Sequence, residues 1–159
     1  MSKTDHLDEQ ILEILTKDAR ISNREVGRLL NVSDVTIGKR LKSMQRAGSI
    51  RLAALIDPAA LGLNCAAFIR LKVVPAMARE IAAAASELKE VPFVALTGGT
   101  HNVVTLALVE DRHALAQLVH NHFRKWEGVH ALETHEISSS PKHRLDVVRI
   151  TEKARNKVR

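Results

Sequence analysis

Ser22-Asn23-Arg24-Glu25-Val26-Gly27-Arg28-Leu29-Leu30-Asn31-Val32-Ser33-Asp34-Val35-Thr36-Ile37-Gly38-Lys39-Arg40-Leu41-Lys42-Ser43-Met44 decides how the first third of this chain folds. Ser22 followed three residues later by Glu25 has the form of a capping box, in which the hydroxyl takes an orphan amide and the carboxylate reaches back. Val26, Leu29 and Leu30 then form the apolar stripe of a short helix. Asn31 ends it, because Asn tolerates the left-handed conformation better than any residue but Gly. Val32 packs under the turn, and Ser33 caps a third helix in which Ile37, Leu41 and Met44 recur at i, i+4, i+7. Gly48 stands where a C′ residue would end that helix.

Upstream, Leu7, Ile11, Leu12, Ile14 and Leu15 have helical spacing, with Asp8 and Glu9 in a first turn whose dipole favours negative charge. A break at Lys17–Ile21 separates this helix from the next. The outward positions of the third helix are Asp34, Thr36, Lys39, Arg40, Lys42, Ser43 and Arg46. Two helices joined by a tight turn, the second with short polar residues first and basic ones after, make a helix-turn-helix. Its second helix enters the major groove of double-stranded DNA. Ser33, Asp34, Val35 and Thr36 then face bases, with Lys39 beside them, while Lys39, Arg40, Lys42 and Arg46 hold phosphates. Ser43 lies on the same outward face.

The charge distribution agrees. The formal charge of +6 resolves into +3 for residues 1–52, −2 for 53–140 and +5 for 141–159. Basic ends suit a polyanion and leave the centre for another task. The alternatives for these features are a solvated basic surface and a frayed tail. With four aromatic residues (Phe68, Phe93, Phe123 and Trp126) and no Tyr, the chain has few rings on which single-stranded bases could stack.

The 159 residues, 45% hydrophobic and 26% charged, suit a soluble globular protein. No apolar run approaches the roughly 20 residues that cross a bilayer, and Met1–Asp8 is too polar for a signal peptide, so a cytoplasmic location is expected. Cys65 is the only cysteine, which excludes an intrachain disulfide and a Cys-rich zinc site. Eight histidines invite a metal, but His113 and His120 are i, i+7 on one helix, about 10 Å apart along its axis. Neither a His-Glu-x-x-His nor a Gly-x-Ser-x-Gly nor a P-loop motif is present, so no metal, cofactor or catalytic residue is expected.

The second half reads as alternating elements. Ala66–Val74 is a β-branched strand closed by Pro75, Met77–Leu88 an alanine-rich helix, and Phe93–Thr97 and Val103–Val109 two strands about the turn Gly98-Gly99-Thr100-His101-Asn102. Asp111 caps a helix running to about Trp126, with Leu115, Leu118, Val119 and His122 on its buried side. Val129–Ile137 alternates without a uniformly apolar face. The order βαββαβ predicts a ferredoxin-like, four-stranded antiparallel sheet with both helices on one face. The other face, rich in Val, Ile and Leu, would bury itself against a second copy. The fold class is therefore α+β, with an N-terminal helix-turn-helix (winged-helix-like) domain at 1–52. A linker with a short strand at 53–65, a ferredoxin-like domain at 66–140 and a basic tail at 141–159 complete the chain.

Leu7-Asp8 ahead of Ile11-Leu12, Arg20-Ile21-Ser22-Asn23, Val32-Ser33, Arg40-Leu41 and Gly48-Ser49-Ile50 together resemble the N-terminal domain of Lrp/AsnC regulators. The likeness keeps register for over fifty residues and continues through Ile56-Asp57-Pro58 and Leu61-Gly62. It implies a sequence-specific transcription regulator and not an enzyme, a homodimer assembling further to a tetramer or octamer, and a small-molecule effector such as an amino acid or related acid. The resemblance also implies an effector site at inter-subunit contacts around the turn Gly98, Gly99, Thr100, His101 and Asn102. The family's Gly-x-Tyr-Asp is here Gly99-Thr100-His101-Asn102, so the aromatic and the carboxylate are both replaced. Without that carboxylate, zwitterionic amino acids are expected to bind weakly. Two further readings stay open: a siroheme decarboxylase-like enzyme of the same architecture, and a ligand-sensing oligomer that does not bind DNA.

Overall fold

The computed structural model describes residues 4–142, which form two compact units dividing between Ala54 and Leu55. Of the expected basic tail, residues 143–159 lie outside the described residues.

In the first unit, α1 spans His6–Lys17, α2 Asn23–Leu30 and α3 Asp34–Arg46. A capping box opens α1: the Asp5 carboxylate accepts from the Asp8 amide (2.9 Å), and the Asp8 carboxylate accepts from the Asp5 amide (3.3 Å). Asp8 is thus more than a charge near a dipole. At α2 only the Ser22 half of the expected box forms, the Ser22 hydroxyl accepting from the Glu25 amide at 3.2 Å. Asn31 adopts φ 55°, ψ 42° and ends α2. Ser33 caps α3 by accepting from the Thr36 amide at 3.1 Å. A Schellman turn closes α3, with the Ser49 amide donating to the Met44 carbonyl, the Gly48 amide to the Gln45 carbonyl, and Gly48 at φ 67°.

Ile11, Val26, Ile37 and Met44 are the buried centre of this unit, ringed by Leu7, Leu12, Ile14, Leu15, Ile21, Leu30, Val32, Leu41 and Ile50. Leu29, expected in the stripe, is instead 57% exposed, and Gly27 is buried. The reason is angular. At about 100° per residue, Val26, Leu30 and Gly27 share one face, whereas Leu29 falls roughly 110° from its centre.

Pro58–Leu61 is a 3-10 turn between Asp57, which caps it by accepting from the Ala59 amide, and Gly62 at φ 76°. This turn stands where a short strand was expected in 53–65. Pro58 supplies no amide to a ladder, and its fixed φ suits the first turn of a helix.

The second unit has β1 (Cys65–Val73), α4 (Ala78–Ser86), β2 (Phe93–Leu96), β3 (Val103–Val109), α5 (Arg112–Asn121) and β4 (Val129–Glu136). The antiparallel sheet has the order β2-β3-β1-β4. Cys65, Ala67, Ile69, Leu71 and Val73 of β1, with Val103, Ala107 and Val109 of β3, pack against Ile81, Ala85, Leu115, Leu118, Val119 and Phe123. Both helices therefore cover one face. α5 stops at Asn121, five residues short of the expected end. His122, at φ −114° and ψ −77°, turns the chain so that Phe123 enters the core and meets Trp126 edge to face at 4.9 Å. Of β4, only Val129 and Leu132 pack against the core. The strand is held instead by its ladder to β1, with a register shift at Lys72/Val73. The uncovered face carries Phe68, Arg70 and Lys72 of β1, Leu106 and Leu108 of β3, Phe93 of β2, and Glu133 and His135 of β4, placed together by the pairing register.

Candidate functional site

On α3, successive residues advance by about 100°, so Val35, Lys39, Lys42 and Arg46 (i, i+4, i+7, i+11) fall within roughly 60° of one another. All four are exposed, Val35 at 60%. They form a stripe that begins apolar at the helix start and continues cationic for the rest of its length. Ser43 and Thr36 flank it on one side and Asp34 on the other. The polar residues at the helix start are engaged locally. Ser33 and Thr36 hydroxyls lie 2.8 Å apart, and the Asp34 carboxylate accepts from the Val35 amide at 2.8 Å.

Arg40, expected beside these on phosphate, lies elsewhere. It sits roughly 120° round from the stripe, and its guanidinium donates to Asp5 and, at 3.3 Å, to Asp8. The Asp8 amide and this guanidinium together hold the Asp5 carboxyl below its ordinary range, and Asp5 in turn raises Arg40. Two cations that the sequence reading passed over, Arg24 and Arg28 of α2, line a shallow open depression of about 380 Å³ with Ser22 and Glu25. Their i, i+4 spacing on a helix that crosses the DNA backbone in such motifs was the available signal.

The turn between β2 and β3 brings Gly98, Gly99, Thr100, His101 and Asn102 into one loop, with Gly99 at φ 108°. Thr97 closes it, its hydroxyl donating to the His101 carbonyl (2.7 Å) and its amide to the Asn102 carbonyl (3.0 Å). The Asn102 side chain, half-buried, is taken up by the backbone of β1. Its Oδ1 accepts from the Val73 amide and its Nδ2 donates to the Val73 carbonyl, both at 2.9 Å. The side-chain amide thus adds one more rung to the β1–β3 ladder beyond the Leu71–Val103 pair. His101 is 18% exposed, with Nε2 3.6 Å from Glu133 Oε1. Glu133 also takes hydrogen bonds from Arg70 and, at 3.2 Å, His135. Arg70, then His135, hold its carboxyl below the usual range. β4 thus brings a carboxylate beside the turn, but one already engaged by Arg70 and His135. Among the described residues no group of His, Cys, Asp or Glu is arranged to hold a metal ion.

Residues 5–45 match the AsnC-type helix-turn-helix domain, and residues 66–147 match the Lrp/AsnC ligand binding domain. The chain belongs to the Lrp/AsnC family of transcriptional regulators. An uncharacterized HTH-type transcriptional regulator of Pyrococcus furiosus is 34% identical over 139 residues, 87% of this chain and 94% of that protein. LrpA of Pyrococcus abyssi is 29% identical over 126 residues, 79% of this chain and 89% of that one. Escherichia coli AsnC superposes with a TM-score of 0.84 at 26% identity, covering 90% of this chain and 97% of the other. A Neisseria meningitidis regulator solved with L-Met superposes at 0.82 and 27% identity, covering 92% and 97%. This Lrp/AsnC chain is thus a helix-turn-helix regulator of transcription carrying an effector-binding domain, and its relatives are regulators and not enzymes. The decarboxylase alternative falls with that finding. No helix among the described residues is long and apolar enough to cross a membrane.

Proposed function

We propose that this cytoplasmic Lrp/AsnC regulator reads double-stranded DNA with the exposed stripe of α3, as a dimer, under control of a small acidic effector. The α3 stripe carries the reading. Val35, with Ser33, Asp34 and Thr36 around it, stands at the N-terminal end, where a recognition helix meets base edges. Lys39, Lys42 and Arg46 follow on the same face, with Ser43 at its flank, and hold phosphates. Arg24 and Arg28 of α2 serve the flanking backbone. Each phosphate contact releases condensed counterions, so the log of affinity against the log of salt has a slope of about −0.9 per contact.

The dimer is supported by the uncovered sheet face, where Phe68 and Phe93 are 41% and 49% exposed. Burying that face against a second copy would supply two helix-turn-helix units for a two-fold operator, and further contacts would build a tetramer or octamer. The effector site is assigned to Gly98, Gly99, Thr100, His101 and Asn102. The relative from Neisseria meningitidis was solved with L-Met. In this chain Asn102 holds Val73 and the nearby Glu133 carboxylate is already engaged by Arg70 and His135, so no free carboxylate faces an ammonium group, which favours a ligand held through its acid group over an ordinary zwitterion.

Selection of duplexes from a random pool, followed by anisotropy titrations between about 50 and 200 mM salt, tests the reading. Lys39→Gln and Lys42→Gln are each expected to flatten the slope by about 0.9 per protomer contact. Unchanged slopes in both variants would remove α3 from the interface. Calorimetry with the twenty amino acids tests the ligand class, and micromolar binding of a neutral zwitterion would overturn it.

A further inference from the structure

We propose that Arg40 is a positioning residue of the DNA-reading helix: it ties α3 to the capping box of α1 and does not itself hold a phosphate. The inference rests on α3 being the DNA-facing helix, and it adds what fixes that helix in place. Arg40 occupies the middle of α3, roughly 120° from the Lys39–Lys42–Arg46 stripe, so a helix laid with that stripe on DNA turns Arg40 toward the protein.

There it meets two carboxylates that are already immobilised. Asp5 is fixed by the Asp8 amide and Asp8 by the Asp5 amide, so the capping box that starts α1 is also a preset pair of acceptors. The Arg40 guanidinium bonds to both. The Asp8 side chain is only 13% exposed, and a carboxylate so enclosed needs a cationic partner. A phosphate that drew Arg40 away would leave Asp8 without the cation that faces it. Lys39 and Lys42 are exposed and carry no such tie among the described residues.

The leverage is geometric. A turn of α3 by about 20° about its axis displaces a side chain some 6 Å from that axis by about 2 Å. That exceeds the width of a hydrogen-bond distance range several-fold. An anchor at mid-helix therefore governs contacts along the whole stripe without touching DNA.

The test uses the full chain with Arg40→Gln, Arg40→Lys and Asp5→Asn, read by unfolding midpoint and by the salt dependence of DNA binding. Asparagine is a good N-cap, so Asp5→Asn keeps the capping acceptor and removes the charge. Both Arg40→Gln and Asp5→Asn are expected to lower the midpoint and weaken DNA binding several-fold, with the log–log slope unchanged, and Arg40→Lys to recover part of each loss. Two results overturn the proposal. One is a slope flattened by about 0.9 in Arg40→Gln, as for a lost phosphate contact. The other is tighter DNA binding by Asp5→Asn, the outcome if that carboxylate merely competes with DNA for Arg40.

Failure of the underlying reading looks different: Lys39→Gln and Lys42→Gln would then leave the slope untouched. In that event the unfolding midpoints of Asp5→Asn, Arg40→Gln and the double variant still decide the anchor. Non-additive losses support the tie, and simple additivity overturns it.

Discussion

Gly27 and Gly38 are both glycines inside helices, yet replacing each by alanine should move stability in opposite directions. A Cβ at Gly27 would lie 2.6 Å from the Val32 carbonyl oxygen, 3.3 Å from the Asp34 amide nitrogen and 3.4 Å from the Ser33 carbonyl carbon. All three are backbone atoms of the turn after α2 and of the first residue of α3. The Gly27 carbonyl meanwhile accepts from the amides of Asn31 and Val32, which pins the turn against the helix. Relief therefore requires moving the turn by more than half an ångström. Overpacking of this kind costs about 1–3 kcal/mol, against a helix-propensity gain of about 0.5–1 kcal/mol for replacing glycine. The net expected for Gly27→Ala is a loss of up to about 2.5 kcal/mol. At Gly38 the new Cβ would meet only Asn23 Nδ2, at 3.3 Å, the free end of an exposed side chain that can swing aside. Gly38→Ala should gain about 0.4–1 kcal/mol, chiefly by narrowing the unfolded ensemble. Trp126, the single tryptophan, lies in the second unit, so its fluorescence reports that unit alone. Far-UV circular dichroism in urea adds the signal of α1 to α3, and the difference between the two probes isolates the first unit. A Gly27→Ala midpoint at or above wild type would refute the close-approach argument, and a destabilised Gly38→Ala would mean that Asn23 cannot yield.

Asn102→Asp should destabilise the second unit by about 1–3 kcal/mol, because a carboxylate cannot donate to the Val73 carbonyl and would instead face it; Trp126 fluorescence in urea reads the loss. Restoring the family's carboxylate at that position is therefore expected to loosen the turn, and any gain in amino-acid affinity has to exceed that cost. Glu133, its carboxyl lowered by Arg70 first and then by His135, contributes stability that is complete above its unfolded value near 4.5. That contribution is lost as pH falls through the lower folded value, so Glu133→Gln should flatten the acid limb of a midpoint-versus-pH series run from about pH 6 to pH 3. An unchanged acid limb would show that other carboxylates set it.

Features set by near neighbours were legible in the sequence. The Ser33 cap, the left-handed Asn31, the Gly48 terminus and the Asp111 cap involve partners within five residues, so spacing alone reveals them. The order βαββαβ followed from apolar runs and turn residues in the same way. Other features depend on distant partners. Leu29 and Gly27 exchanged roles because the buried arc of a two-turn helix is fixed by what packs on it. Arg40 reads as an outward cation until α1 delivers Asp5 and Asp8, more than thirty residues earlier. Asn102 reads as a turn residue until β1 delivers Val73, 29 residues away. Glu133 enters the neighbourhood of His101 only through the β1–β4 pairing. At the site, then, the α3 stripe was readable, and the groups that brace it were not.

Cys65 opens β1 with 4% of its surface exposed, and burial pushes its thiol above the ordinary value. Only the thiolate reacts quickly with disulfide or maleimide reagents, and here both access and ionisation are withheld while the strand is seated. The chain has no other sulfhydryl to confuse the signal. Its rate of modification is consequently a clock for the opening of β1 at its pairing with the last residue of β3. Run with and without a candidate effector, that clock would register a ligand that braces the sheet even when no absorbance or fluorescence changes.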